Sequence, residues 1–459
     1  MKLSKFLFAT ILGKRLPKLN GEIQVEGSES QIAIARDEWG IPYIKADSIR
    51  DAWFGLGFCQ GQDRSFQLEL AQRLSRGTLS EIIGSKTISA DRLSRQIGFH
   101  RSSESQFPKL DSATKQYMRA FCEGVNQGRA NGTHKKAHEF TLLKCEPSVF
   151  TPEDTLSTLK LFAFQMGSNW DSELTRLQIL LGDGESALKD LDPEYSQWHP
   201  LSTTLYHQSH FSSSHLEMLV TDIKSFLSLI GESGGSNNWA ISGTHTETGR
   251  PILCNDPHLS PVVPNQWYLA RVETPEWKLA GASIVGLPGF AAGHNGYASW
   301  GVTAGLGDNT DLYIENATTI KGHDGTTVKH KEVINVKGRD PIIENIIITE
   351  RGPLIGHSLG FDNLAISMRA TWLDTVPFNT LTELPVVRSF SDFKKAWNRW
   401  PFSTFNMVYA DMGGDIGWKF VGDVPIRTTG NGMVPAPAQN NWLPSPIKIQ
   451  DMPERLNPS

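Results

Sequence analysis

The sequence predicts an α+β chain in which helices come first and strands second. Two observations carry that class, and a third marks the junction. From Ser48 to Gly77 apolar residues recur three and four apart, the spacing of one helix face. After Ser236 the chain breaks into short apolar runs bounded by Gly, Pro or Asn, such as "NNWAISG", "PILCND", "QWYLARVE", "WKLAGASIVG" and "YASWGVTA", and these read as strands. Between the two halves stands "GESGGSNNWAISG", Gly231 to Gly243, where Gly-Gly-Ser precedes two asparagines and a tryptophan. A plain loop has no need of that Trp, and a plain strand has no need of Gly-Gly.

The elements follow in order. The opening "MKLSKFLFATILGKRLPKLNG" has a basic start and an apolar run from Phe6 to Leu12, with Lys14 and Arg15 directly after. It carries only a weak export signal, because no small-residue cleavage site follows. The compartment stays open, cytoplasmic or periplasmic. No run reaches the ~18 apolar residues of a membrane span. "GEIQVEGSESQIAIARDEWGIPYIKA" alternates apolar and polar residues and predicts a β-hairpin, turning at Gly27, Ser28 and Ser30. Helices are expected over Ser48 to Gly77, Ser112 to Arg129 and Glu153 to Leu181, with Gly77 as a stop signal. Residues 196–219 are rich in Ser, Thr and His without periodicity and read as a linker. A short amphipathic piece from Asp222 to Ile230 leads into Gly-Gly-Ser, and "FNMVYAD", "DIGWKFVG" and "NNWLP" continue the strand character near the end. The expected organisation is a helix-rich region 1–195, a linker 196–235 and a strand-rich region 236–459.

Composition narrows the function. The chain has 459 residues, 39% of them hydrophobic, enough for a large core. A net charge of −5 gives no nucleic-acid footprint. Cys59, Cys122, Cys145 and Cys254 form no CxxC pair and no zinc spacing, so they read as buried free thiols. An oxidising compartment is neither demanded nor excluded.

A serine needs a base to become a good nucleophile. Ser236 sits in no GxSxG elbow and no SxxK signature. A Ser-His-Asp set drawn from His245, His258 and Asp256 remains open, since spacing does not fix its geometry. The other route is the α-amine of Ser236 itself, freed by cleavage after Gly235. An α-amino pKa near ~8 suits a general base better than a lysine.

Here the residues carry a resemblance. "GGSNNWAISGTHTETGRPILCNDPHL", "GASIVGLPGFAAGHNGYASWGVTAGLGDNTDLY" and "FNMVYADMGGDIGWKFVGDVPIR" resemble the penicillin acylase family of N-terminal nucleophile hydrolases. The upstream "RDEWGIPYIKA" and "GFCQGQDRSFQLELAQRLSRGTLSEIIG" resemble the opening of its small chain, so the likeness runs along nearly the whole sequence in order. The resemblance implies a four-layer α/β/β/α sandwich with a helix-rich small chain, a spacer and a large chain that stay associated after self-cleavage between Gly235 and Ser236. It implies Ser236 as nucleophile, His258 as the residue that holds it, and an oxyanion hole from the Ala304 N–H and the Asn406 side chain. It implies a structural Ca²⁺ on Asp308 and Asp311 of "GDNTDLY", with Glu173 as the candidate third ligand, and places Arg427 at the active-site rim.

The implied acyl pocket takes Leu259 and Ala292 where benzyl-specific members have aromatic rings, with Met166 and Trp170 on the small-chain helix above it. Smaller side chains leave room for a larger or aliphatic acyl group. The expected activity is hydrolysis of a small-molecule N-acyl amide through an acyl-ester intermediate, with no organic cofactor. One alternative is an acyl-homoserine-lactone acylase. Another is an inactive, unprocessed homologue, because family members run considerably longer and a separate chain could supply the remaining strands of the sandwich.

Overall fold

The structure, a computed structural model, describes residues 10, 13, 15–167, 169–191, 223, 226, 229, 233–315, 327–355, 366–428, 430, 432–438 and 441–458. The hairpin exists, one strand later than the alternation suggests. Strands β1 (Ala33–Arg36) and β2 (Pro42–Lys45) pair antiparallel around a turn at residues 37–41. Asp37 makes that turn, its carboxylate accepting from the N–H groups of Trp39 and Ile41, while Gly40 takes a left-handed φ of 79°. An Asx turn supplies more than the Gly27–Ser30 stretch, which forms no strand pair.

Helix α1 (Ile49–Asp63) begins at Ser48, whose hydroxyl accepts from Asp51 N. The expected single helix to Gly77 breaks at Arg64, and α2 (Ser65–Arg76) ends on left-handed Gly77. Then come α3 (Ile88–Ile97) and α4 (Ser112–Asn131), the latter capped by Asp111. Glycines let α1 and α4 touch backbone to backbone. A Cβ on Gly57 would sit 2.0 Å from Phe121 O, and one on Gly124 would sit 2.0 Å from Phe54 O. The expected helix over 153–181 is two, α5 (Pro152–Met166) and α6 (Trp170–Gly182). The chain leaves α5 at Gly167, and Asn169 takes a φ of 105°, so the helix cannot run through.

The second half is strands: β3 (Ser233–Ile241), β4 (Ile252–Leu259), β5 (Trp267–Glu273), β6 (Lys278–Ile284), β7 (Ala292–His294), β8 (Ala298–Ala304) and β9 (Thr310–Ile314). After these come β10 (Val328–Ile334), β11 (Ile342–Thr349), β12 (Gly352–Pro353), β13 (Ile366–Ala370), β14 (Phe405–Asp411), β15 (Ile416–Val421), β16 (Ala436–Pro437) and β17 (Glu454–Leu456). Nine form one sheet in the order β1-β2-β5-β6-β7-β8-β14-β15-β17. Only the β2–β5 pair in it is parallel, so the opening hairpin is built onto the strand-rich half. β3 and β4 form a separate antiparallel ribbon.

Strand parity assigns the faces. Trp300 and Val302 of β8 and Phe405 of β14 gather with Trp53 of α1 and Leu159 of α5, so this face of the sheet meets the helices. Gly301, one residue out of phase, meets Asn255 and Leu253 of β4 on the opposite face. The molecule is thus layered helix, sheet, ribbon along β8 and β14. Farther along, the ribbon side of β2 and β5 is open, with Tyr43 41% and Leu269 50% exposed.

The expected linker at 196–219 lies outside the described residues. Phe226 of the amphipathic piece is buried and meets Phe164 edge-on at 5.6 Å.

Candidate active site

Ser236 lies inside β3, not at its start. Ser236 pairs with Pro257 and Ser233 with Leu259, so β3 spends one more residue than β4 over this interval. That is a β-bulge, and it falls on Gly234–Gly235, directly before the serine. Two glycines and no side chain fit a kinked, extra-residue backbone there. A Cβ at Gly235 would already come within 3.8 Å of His258 Nδ1.

From Ser236 onward the alternation is regular. Asn238 shares its face and reaches across to donate from Nδ2 to Asn406 O at 2.9 Å. Ser236 is two residues back on that face, roughly 7 Å along the strand. Its hydroxyl therefore opens into the cleft between the ribbon and strands β8, β14 and β15. His258 meets Ser236 through its main chain: its N–H donates to Ser236 Oγ at 3.2 Å. The imidazole turns to Asp256 instead, Nε2 to Oδ2 at 2.9 Å, and both side chains are exposed. The arrangement gives no Ser-His-Asp relay.

The two oxyanion candidates meet. Asn406 Nδ2 donates to Ala304 O at 3.1 Å, and Phe405 lies directly opposite Ala304. Gly305 N bonds Thr404 O at 2.8 Å, so Ala304 sits at a non-bonded position and turns its own N–H away from β14. The Asn406 amide is oriented by a donor-only group, the indole N–H of Trp418, which donates to its Oδ1 at 3.2 Å. That leaves the second hydrogen of Nδ2 for a ligand.

Asn255 fixes the ribbon to the sheet. Its amide pairs with both main-chain groups of Val302, Oδ1 accepting at 2.9 Å and Nδ2 donating at 2.8 Å. Nδ2 also reaches Asn237 O at 3.1 Å. Sequence reading missed Asn238, Asn255 and Trp418. The run "NN" and the "CND" at the ribbon's second strand were the available signal, as amides placed where strands alternate.

The residues expected at the acyl pocket lie in several different places. A cavity of about 80 Å³ lies on the helix side of the sheet, walled by Trp53, Phe162, Ala291, Trp300, Val302 and Phe405 among others. Leu259, Ala292, Met166 and Trp170 do not line it. Trp170 is 2% exposed and stacks on Phe164 at 4.8 Å, a core position. Leu259 closes the ribbon opposite Ser233, and Ala292 pairs with Ala282 next to Ala291. Met166 is half-buried at the end of α5. The one-residue offset from Ala292 to Ala291 is a change of sheet face, which spacing alone does not reveal.

Arg427 lies against Asp308 and Asp311. Its Nη2 donates to Asp308 Oδ2 at 2.5 Å and Asp311 Oδ1 at 2.6 Å, and its Nε to Asp311 Oδ2 at 2.9 Å. Trp442 Nε1 donates to Asp311 Oδ2 at 2.6 Å, and Asn169 Nδ2 to Asp308 Oδ2 at 3.1 Å. Glu173, fully buried on α6, accepts from Leu312 N at 3.2 Å, its one hydrogen bond among the described residues. Burial, then the charges of Asp311 and Asp308, hold its carboxyl well above the usual range. Burial pushes Asp308 up to about 7 against the pull of Arg427.

The three expected Ca²⁺ ligands are therefore neighbours, but among the described residues no three His, Cys, Asp or Glu side chains converge as a metal set. Ca²⁺ takes roughly six to eight oxygens. Here the carboxylate oxygens left without a partner in the cluster are Glu173 Oε1 and Asp308 Oδ1. As arranged, the residues do not fit the ion.

With this geometry described, comparison with known proteins is direct. The penicillin amidase family matches residues 31–459. The chain is 29% identical over 468 residues to penicillin acylase 2 proenzyme of Pseudomonas sp. strain SE83, covering 96% of this chain and 59% of that protein. It is 27% identical to acyl-homoserine lactone acylase QuiP of Pseudomonas aeruginosa, covering 92% and 53%, and 23% identical to penicillin G acylase of Escherichia coli, covering 91% and 56%. The chain thus spans between 53% and 59% of these relatives' lengths. Among solved structures, thermostable penicillin G acylase from Alcaligenes faecalis aligns with a TM-score of 0.41 at 22% identity, covering 48% of this chain and 42% of that one. With the family matched over nearly its whole length, the chain belongs to the penicillin amidase family.

Proposed function

We propose that the chain cleaves itself between Gly235 and Ser236 and that the new N-terminal serine hydrolyses an N-acyl amide. The observation that carries the reading is a shared face: Asn238, two residues on from Ser236 along β3, bonds the main chain of Asn406, whose amide bonds Ala304 O. Ser236 Oγ attacks the acyl carbon, and its own freed α-amine takes the hydroxyl proton. The amine then passes the proton to the leaving nitrogen, and water releases the acyl group by the same route. The Ala304 N–H and Asn406 Nδ2 stabilise the developing oxyanion. The main-chain N–H of His258 fixes Oγ before attack. The bulge at Gly234–Gly235 supports cleavage there, because it takes the scissile peptide out of the ladder. One relative's name, a proenzyme, agrees.

The acyl group is proposed to pass round the end of β8 at Ala304 into the helix-side cavity, whose wall includes Val302 and Phe405. That wall is almost wholly apolar, which favours a second reading for the substrate, a fatty acyl-homoserine lactone. A panel of such lactones against penicillin G tests it, and a sharp preference for penicillin G would remove the fatty-acyl reading.

The helix, sheet and ribbon layers support a four-layer sandwich. Trp239, Ile241 and Ile252 on the ribbon's outer face are 47%, 37% and 46% exposed, a surface the fourth layer would cover. Polypeptide corresponding to the remainder of the longer relatives is the proposed occupant. An unprocessed chain without hydrolytic activity is the outcome that would favour the inactive reading.

A further inference from the structure

The cluster around Asp308 holds a cation already, and that cation is a side chain. The Arg427 guanidinium lies between two carboxylates with three contacts of 2.9 Å or less. Both oxygens of Asp311 are used, by Arg427 and by the Trp442 indole. The surroundings are built for that placement. Gly432 has a left-handed φ of 72°, and a Cβ there would fall 2.3 Å from Asp308 Oδ2 and 2.8 Å from Arg427 Nη2. Only glycine lets the 432 segment close over the guanidinium. Asn169 ties the same segment down, bonding both Asp308 and Gly432 O. Arg427 and Trp442 form an antiparallel bridge that brings the indole to Asp311.

We infer that Arg427 replaces a divalent cation in this chain, clamping the turn that follows Ala304 to the segment from Arg427 to Trp442. A planar, permanently charged fork suits two carboxylates as a spherical ion suits many oxygens. The turn from Gly305 to Thr310 joins the strand end bearing Ala304 to β9, so Arg427 is a positioning residue for the proposed oxyanion donor. It acts without any metal being loaded.

The test is metal content and thermal unfolding of the purified full chain, neither of which needs hydrolysis. The result therefore stands whether or not the reading of Ser236 holds. Expected are substoichiometric Ca²⁺ by elemental analysis and the same Tm in excess Ca²⁺ as in EDTA. Arg427→Gln should lower the Tm, and Ca²⁺ should recover part of the loss, because the vacated carboxylates then face an ion. Arg427→Lys should fall between the two. Stoichiometric Ca²⁺ in the wild-type chain, or a Tm that drops in EDTA and returns with Ca²⁺, would overturn the inference. Should Arg427→Gln fail to fold, these wild-type measurements decide alone.

Discussion

The cleft around Ser236 and the cluster around Arg427 hang from the same stretch of chain, one at Ala304 and the other at Asp308, yet they are held by opposite means. The cleft is neutral. Asn238, Asn255 and Asn406 join main-chain groups across layers, and Trp418 orients one of those amides. The cluster is ionic and buried, with Glu173, Asp308 and Asp311 around one guanidinium. The difference teaches where precision and where anchorage reside. A site that must meet a transient charge is lined with fixed dipoles and left otherwise uncharged. The anchor can use full charges because nothing there has to change during a reaction.

Substitutions break this comparison in a graded way. In the cluster, Arg427→Ala strands buried carboxylates, and the expected loss is about 3–5 kcal/mol in denaturant unfolding. In the cleft, Asn406→Ala should lower kcat by about 10²–10³ with unfolding little changed. If the two outcomes were exchanged, the assignment of anchor and site would be reversed. Asn255→Ala leaves the Val302 N–H and C=O without their partners, and about 1–3 kcal/mol of stability should go with them. Trp418→Phe removes only the donor that orients Asn406. Loss of one neutral hydrogen bond, about 1 kcal/mol, predicts a fall in kcat below about tenfold with KM unchanged. An equal rise in KM would mean Trp418 touches substrate instead.

Much of this was legible in the sequence, for physical reasons that differ by region. Helix periods and the Gly77 stop are local, so the helical stretches 48–77 and 112–129 were readable from spacing, while the break at Arg64 between α1 and α2 was not. The family motifs pointed to Ala304 and Asn406, which do meet, though β14 lies about a hundred residues beyond β8 in sequence. The turn at Asp37 was missed because an Asx turn competes with the more obvious Gly-Ser stretch. His258 was expected to reach Ser236 with its side chain, but the contact is main-chain, which a sequence of side chains does not name. The pairing of Arg427 was not legible because nothing in "PIR" tells an exposed arginine from one facing Asp308 and Asp311. Trp170 was misplaced for a similar reason: amphipathic aromatic rings suit pockets and cores alike, and here Phe164 takes the stack.

The most direct test of the account is an intact mass spectrum of the purified chain with N-terminal sequencing of every fragment, beside the Ser236→Ala variant. The account predicts a wild-type fragment that begins at Ser236 and an uncut variant of 50.9 kDa less one oxygen atom. A wild-type chain that stays whole, or a variant cut at the same bond, would contradict it.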